Sequence, residues 1–290
     1  MNIGDHTESE INVANLNLAS KAILDKLNKV IRNVDYNFDK YDLGEAAKAL
    51  YNFVWNDFAS WYVEISKVDL QSDDEANKIN TKNVLIYTLK AIIKMLHPFC
   101  PFITEELYQA LPHDEESISI SEWPKANPLF DDEQASLAFD DLCEVITSIR
   151  NERAKANKAP SKPIDITISC KDEDALNKLK AAESYLIKFT NPKNLVLTLE
   201  QISSEGNVLV VLSKANFYIP YSDLVDAKEA KAKLEATKAK LENELNRSRN
   251  MLNNPNFTSK APAQKIENER AKLADYEAQY KEVCEALAKF

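Results

Sequence analysis

Five cations crowd the end of one stretch of the sequence: Arg150, Arg153, Lys155, Lys158 and Lys162, with only Glu152 among them as an acid. Guanidinium and ammonium groups at that density can neutralise phosphates. A local stripe does so even on an acidic chain, because salt screens charges beyond about 8–10 Å. The chain carries a formal net charge of −10, and its acids concentrate just before the stripe. Asp114, Glu115, Glu116, Glu122, Asp131, Asp132, Glu133, Asp140, Asp141 and Glu144 stand there against Lys125. Two solvated faces of opposite sign is the competing reading.

Other chemistries find less support. The glycines are Gly4, Gly44 and Gly206, too scattered for the clustered backbone N–H groups that cradle a nucleotide phosphate. Cys100, Cys143, Cys170 and Cys284 are far apart with no CxxC pair, so they read as free thiols of a reducing compartment, not as metal ligands. His6, His97 and His113 are equally dispersed; His97 precedes Pro98 at a helix end, where a structural or capping role is expected. No paired carboxylates and no Ser/His/Asp set emerge. The expectation is a binding protein, without catalytic residues, metal or cofactor of its own.

The elements that must position the stripe follow from hydrophobic spacing. Leu16, Ile23, Leu27, Val30, Ile31 and Val34 recur at helical intervals. Asp42 and Glu45 form a capping pair for a helix over 43–67, whose aromatics (Tyr51, Phe53, Trp55, Phe58, Trp61, Tyr62) predict a position in the middle of a bundle. Further helices are expected over 76–97, 103–111 and 133–157, and short connections favour antiparallel neighbours. Pro160 and Pro163 end the last helix. Strands are then expected at 164–170, 195–199, 208–212 and 217–220, with a helix at 172–189. From 222 on, Leu234, Leu241, Leu245 and Leu252 form one a/d seam, with Lys238 and Ser248 at its weaker positions. Ile266, Leu273, Tyr276, Tyr280, Val283 and Leu287 form a second, after a turn at Asn253–Asn256. Each arm is about 40 Å long. The fold class expected is mainly α: an antiparallel helical bundle (1–159), a small α/β domain (160–221) and a C-terminal antiparallel two-helix coiled coil (222–290). A dimerising or spacer coiled coil is the alternative use of that hairpin.

The motifs resemble one family. KLNKVIRNVDYNFDKYDLGEAAKALYNFVWNDFASWYVEISK (26–67) and LHPFCPFITEELYQALP (96–112) are similar to the anticodon-binding domain of class I aminoacyl-tRNA synthetases, and the second to its valyl and isoleucyl branch. SISISEWP (117–124), SIRNERAKANKAPSKP (148–163) and above all NPNFTSKAPAQKIENERAKLADYEAQ (254–279) resemble the valyl-tRNA synthetase family. The likeness runs from about residue 16 to the end. Ala59 stands where the family often has Cys, and Asn157-Lys158-Ala159 where Asn-Val-Pro is commoner.

The resemblance implies the tRNA-binding C-terminal portion of a valine–tRNA ligase. The family's ATP-binding signatures and editing residues are not found in the sequence, so a catalytic domain of the same polypeptide is expected ahead of residue 1. The fragment alone is expected to be inactive; ATP and Mg²⁺ would serve the full-length enzyme. The implied partner is valine tRNA, and the protein is expected to be cytoplasmic, monomeric and free of membrane. The bundle would read the anticodon, with Arg32, Lys40 and Tyr41 on its RNA face and most of the helix 43–67 aromatics in the core. Arg150, Arg153, Lys155, Lys158 and Lys162 would meet phosphates. Lys240, Arg247, Arg249 and Lys260 would do so on the arm, which would hold the outer corner of the tRNA. The acidic belt would point away from RNA or pack on the catalytic domain.

Overall fold

The computed structural model describes residues 10–224, 227–254 and 263–287. The chain divides into two compact units, Met1–Lys155 with Ala159–Ile219, and Ala156–Lys158 with Pro220–Phe290.

The first unit is organised around α1 (Leu18–Asp39), capped by Asn17, whose side chain accepts from the Ser20 backbone N–H. Ala19, Ile23, Leu24, Leu27, Ile31 and Val34 are buried along it, the spacing of an apolar stripe. It packs against α2 (Leu43–Asn52), α4 (Glu75–Leu96) and α6 (Glu133–Lys155), so α1, not the aromatic helix, is the central element. Between α1 and α2 the chain turns sharply. Tyr41 takes a left-handed φ of 59°, and Asp42 accepts from the Glu45 backbone N–H.

The expected single helix over 43–67 is three pieces: α2, a π-helical stretch Phe53–Tyr62, and α3 (Val63–Leu70). The Ser60 hydroxyl donates to the Trp55 carbonyl at 2.6 Å, five residues back. The change of register alters which aromatics face inward. Phe53, Phe58 and Tyr62 are buried, while Tyr51 and Trp55 are exposed. Tyr62 reaches the Ser20 hydroxyl on α1 at 3.0 Å. Pro101 begins α5 (Pro101–Gln109), where a missing N–H costs nothing.

Beyond α6 the same unit holds a four-stranded sheet, ordered β2-β1-β4-β3. Its strands are β1 (Ile164–Cys170), β2 (Pro192–Thr198), β3 (Asn207–Val211) and β4 (Ala215–Pro220). β1 pairs parallel with β2 and antiparallel with β4. The parallel pair needs a crossover, supplied by α7 (Glu173–Ala181) and α8 (Glu183–Thr190) in place of the one helix expected. Gly206 adopts the left-handed φ of 75° that the turn before β3 requires. The Tyr185 hydroxyl of α8 donates to both oxygens of Asp69 on α3 at 3.0 Å. A buried carboxylate so ties the α/β segment to the bundle.

In the second unit a short turn, α9 (Tyr221–Leu224), precedes α10 (Ala227–Leu252) and α11 (Ala263–Leu287), which pack together. Leu241, Leu245 and Ser248 are buried between them. Polar ties set an antiparallel register: Tyr280 to Glu242 at 2.7 Å, Arg249 to Glu277 at 2.8 Å and Ser248 to Glu269 at 2.7 Å. The side chains of Leu234 and Leu287 lie outside the described residues.

Candidate nucleic-acid interface

The five cations of the stripe differ in exposure. Arg153 is 3% exposed, which corrects its expected role as a phosphate contact. Its guanidinium donates to the carbonyls of Lys162 at 2.7 Å, Thr190 at 2.5 Å and Asn191 at 3.0 Å. Thr190 ends α8, and Asn191 caps it in a left-handed conformation with φ 45°. Helix C-termini leave carbonyls without intrahelical partners, and a planar group with five donors satisfies several at once. Burial lowers the Arg153 pKa from its ordinary value. Arg150 is exposed, with its guanidinium carbon 5.2 Å from the centre of the Phe189 ring. Lys155 pairs with Glu152 at 2.6 Å while remaining largely exposed, a surface pair of small worth. Lys162 is exposed on the first unit, and Lys158 is half-buried in the second.

The residues expected at the anticodon face sit around the C-terminal end of α1. Arg32 forms an ion pair with Asp131 at 2.6 Å, and Asn28 donates to the same carboxylate at 2.8 Å. The Arg32 and Asn28 hydrogen bonds hold the Asp131 carboxyl below its usual range. One member of the acidic belt therefore anchors a loop to α1. Its neighbour Asp132 caps α6 by accepting from the Ala135 N–H at 3.0 Å. Lys40 lies over the Tyr36 ring, 4.0 Å from its centre, and bonds the Tyr36 hydroxyl. Tyr41, 91% exposed, stands at the left-handed corner. A bulky residue at positive φ is a strained conformation of the kind that clusters at functional sites.

On the hairpin Lys240 is exposed. Arg247 pairs with Glu244 at 3.6 Å and Arg249 with Glu277 at 2.8 Å. Lys260 lies outside the described residues.

Sequence order concealed other surfaces. Lys125, isolated within the acidic run, lines a hollow of about 260 Å³ with Lys90 and Lys94 of α4 beside Tyr87 and Trp123. The helical spacing of Lys90 and Lys94 was the available signal. Tyr51 and Trp55 lie together on the surface, hidden in the sequence by the abundance of aromatics around them. Both ring nitrogens of His97 are engaged, by Thr104 at 2.8 Å and Ser119 at 3.2 Å. Burial raises the Cys143 thiol well above its ordinary value, which suppresses the reactive thiolate. Among the described residues no group of His, Cys, Asp or Glu is placed to hold a metal ion, and no helix is long and apolar enough to cross a membrane.

Comparison with known proteins adds to this geometry. The profile described as the anticodon-binding domain of tRNA ligase matches residues 20–168. A second, described as the valyl tRNA synthetase tRNA binding arm, matches residues 226–290. The valine–tRNA ligase of Bacillus cereus is 39% identical over 289 residues, covering 99% of this chain and 33% of the relative. That of Listeria monocytogenes is 40% identical over 277 residues, 95% of this chain and 31% of the relative. That of Enterococcus faecalis is 39% identical over 289 residues, 99% and 33% respectively. The chain therefore spans about a third of the length of these curated relatives.

Proposed function

The chain belongs to the family of tRNA-ligase anticodon-binding domains, of the valyl-tRNA synthetase kind, and from that premise we propose that it binds and positions valine tRNA for a valine–tRNA ligase. The observation that carries this is the combination on one chain: a helical bundle within residues 20–168, and a two-helix hairpin within 226–290, each matched by a tRNA-binding profile. In this reading the bundle meets the anticodon at the C-terminal end of α1, where Arg32, Lys40 and Tyr41 lie. Unpaired bases stack on aromatic rings and are read on their edges. Arg150, Lys155, Lys158 and Lys162 of the stripe, and Lys240, Arg247, Arg249 and Lys260 of the hairpin, meet phosphates, which fix position without carrying sequence. The hairpin holds the outer corner of the tRNA, and the α/β segment connects the two.

Valine activation, with its ATP and Mg²⁺, and transfer to the tRNA are assigned to other parts of the ligase. The chain acts as a cytoplasmic monomer. Titration of the chain with valine tRNA, an anticodon-substituted copy and a non-cognate tRNA tests the reading. Valine tRNA is expected to bind tightest, the anticodon copy more weakly, and binding of all three to fall as salt rises. Equal affinity for all three would refute anticodon reading. A pure preparation is expected to show no valine-dependent ATP–pyrophosphate exchange, and its mass in solution to be independent of concentration.

A further inference from the structure

Tyr51 and Trp55 are 63% and 61% exposed, with rings parallel to within 2° and centres 6.3 Å apart. Two large flat apolar faces are thus held side by side in water. The same helical face continues toward the N-terminus of α2, because residues three and four apart are neighbours on a helix surface. Lys48, Tyr51, Asn52 and Trp55 have that spacing. Lys48 and Asn52 also line a groove of about 340 Å³ against the end of α1, with Asn33, Tyr36 and Asn37 opposite.

The groove is mixed in character, with three carboxamides, Asn33, Asn37 and Asn52, along it. Asn37 donates to Asn33 Oδ1 at 2.8 Å and to the Asn33 carbonyl at 2.9 Å. This leaves the Asn37 amide oxygen and the Asn33 amide nitrogen uncommitted. Asn52 has no side-chain partner among the described residues. Carboxamides offering both donors and acceptors suit the edge of a nucleobase, which presents both. A stacked aromatic pair suits its face. The π-helical register begins at Phe53, between the two halves of this face, and such irregularities in helices are frequent at functional sites.

We propose that this face holds two successive unstacked bases of the anticodon loop, one read at its edge by Asn33, Asn37 and Asn52, the next stacked on Tyr51 and Trp55. The proposal rests on the reading of the bundle as the anticodon-binding part and goes further by naming the surface and the role of each side chain. Lys48, which lines the groove and pairs at its surface with Glu45 at 3.4 Å, meets the backbone phosphate of the strand.

The 290-residue chain has three tryptophans, so Trp61→Phe with Trp123→Phe leaves Trp55 as the reporter. Valine tRNA is expected to quench its fluorescence, and a copy with abasic anticodon-loop positions to leave it unchanged. In the otherwise unaltered chain, Tyr51→Ala and Trp55→Ala are each expected to weaken binding by about fivefold to 150-fold, the range for loss of one base–aromatic stack. Thermal melting should stay unchanged, since both side chains are exposed. Asn52→Ala is expected to narrow the gap between valine tRNA and its anticodon-substituted copy. A Tyr51→Ala/Trp55→Ala chain that binds valine tRNA undiminished and still prefers its anticodon would overturn this proposal while leaving the bundle's role intact. An unaltered chain that ignores the anticodon, or binds no tRNA, would overturn both.

Discussion

Arg153 in the first unit is 3% exposed and gives its guanidinium to three backbone carbonyls. Arg247 on the hairpin has a side chain 73% exposed and one long ion pair, at 3.6 Å. The contrast runs through both units. In the first, Lys26 bridges Asp57 and Asp140 at 2.6 Å and Arg32 holds Asp131, so several cations are already engaged by the unit's own acids. In the second, a narrow seam of Leu241, Leu245 and Ser248 buries little, and Lys240, Arg247 and Arg249 of the hairpin stay exposed. Counting cations along a sequence therefore overstates the phosphate-binding charge of the first unit more than that of the hairpin.

The largest effect expected from this contrast is at Arg153. Arg153→Ala strands three carbonyls and is expected to destabilise the first unit by about 3 kcal/mol. For a unit of this size that is a fall in melting temperature on the order of 6–12 °C. Calorimetry checks it; a fall of a degree or less would show that the guanidinium is dispensable to the fold.

Removal of residues 227–290 comes next. It is expected to weaken valine tRNA binding about tenfold, about 1.4 kcal/mol, while the ratio between valine tRNA and its anticodon-substituted copy persists. The melting of the first unit should hardly move. Loss of the ratio with affinity retained would reverse the assignment of the two units.

Single surface cations sharpen the comparison further. Lys240→Ala and Arg150→Ala are each expected to reduce the salt slope of tRNA binding by somewhat under one unit, equally for every tRNA. Arg32→Ala should reduce it less, since its charge is already engaged by Asp131. Equal slopes for Arg32→Ala and Lys240→Ala would remove the distinction between engaged and free cations.

The smallest effect concerns Asp69, buried against Tyr185, whose pKa is raised by desolvation despite the hydrogen bonds it receives. A carboxyl raised in the folded state binds its proton more tightly there than in the unfolded chain. Its penalty is absent at low pH and grows as pH rises from the ordinary carboxylate value through the raised one. Relative to Asp69→Asn, the natural chain should gain stability as pH falls from 7 toward 4, seen as converging or crossing melting temperatures. A gap that widens in the opposite sense would show a depressed pKa instead.

Local spacing and capping were legible without coordinates. The apolar repeat of α1, the Asp42 cap, Pro101 at the start of α5, and the alternation of Ile164, Ile166 and Ile168 in β1 depend on residues a few positions apart. The family motifs were legible too, because they are strings of neighbours. What only the tertiary structure decided are relations across long separations. Arg153 and Thr190 are far apart in sequence, yet they meet because α6 and α8 pack together. The sequence at Arg153 is that of any exposed basic stripe. Tyr51, Trp55 and Tyr62 share one aromatic run, and the π-helical register with α1 behind it leaves two in water and buries the third. Propensity and periodicity fix which elements form. Which side of an element meets solvent, and which charge meets a carbonyl rather than a phosphate, depends on what packs against it.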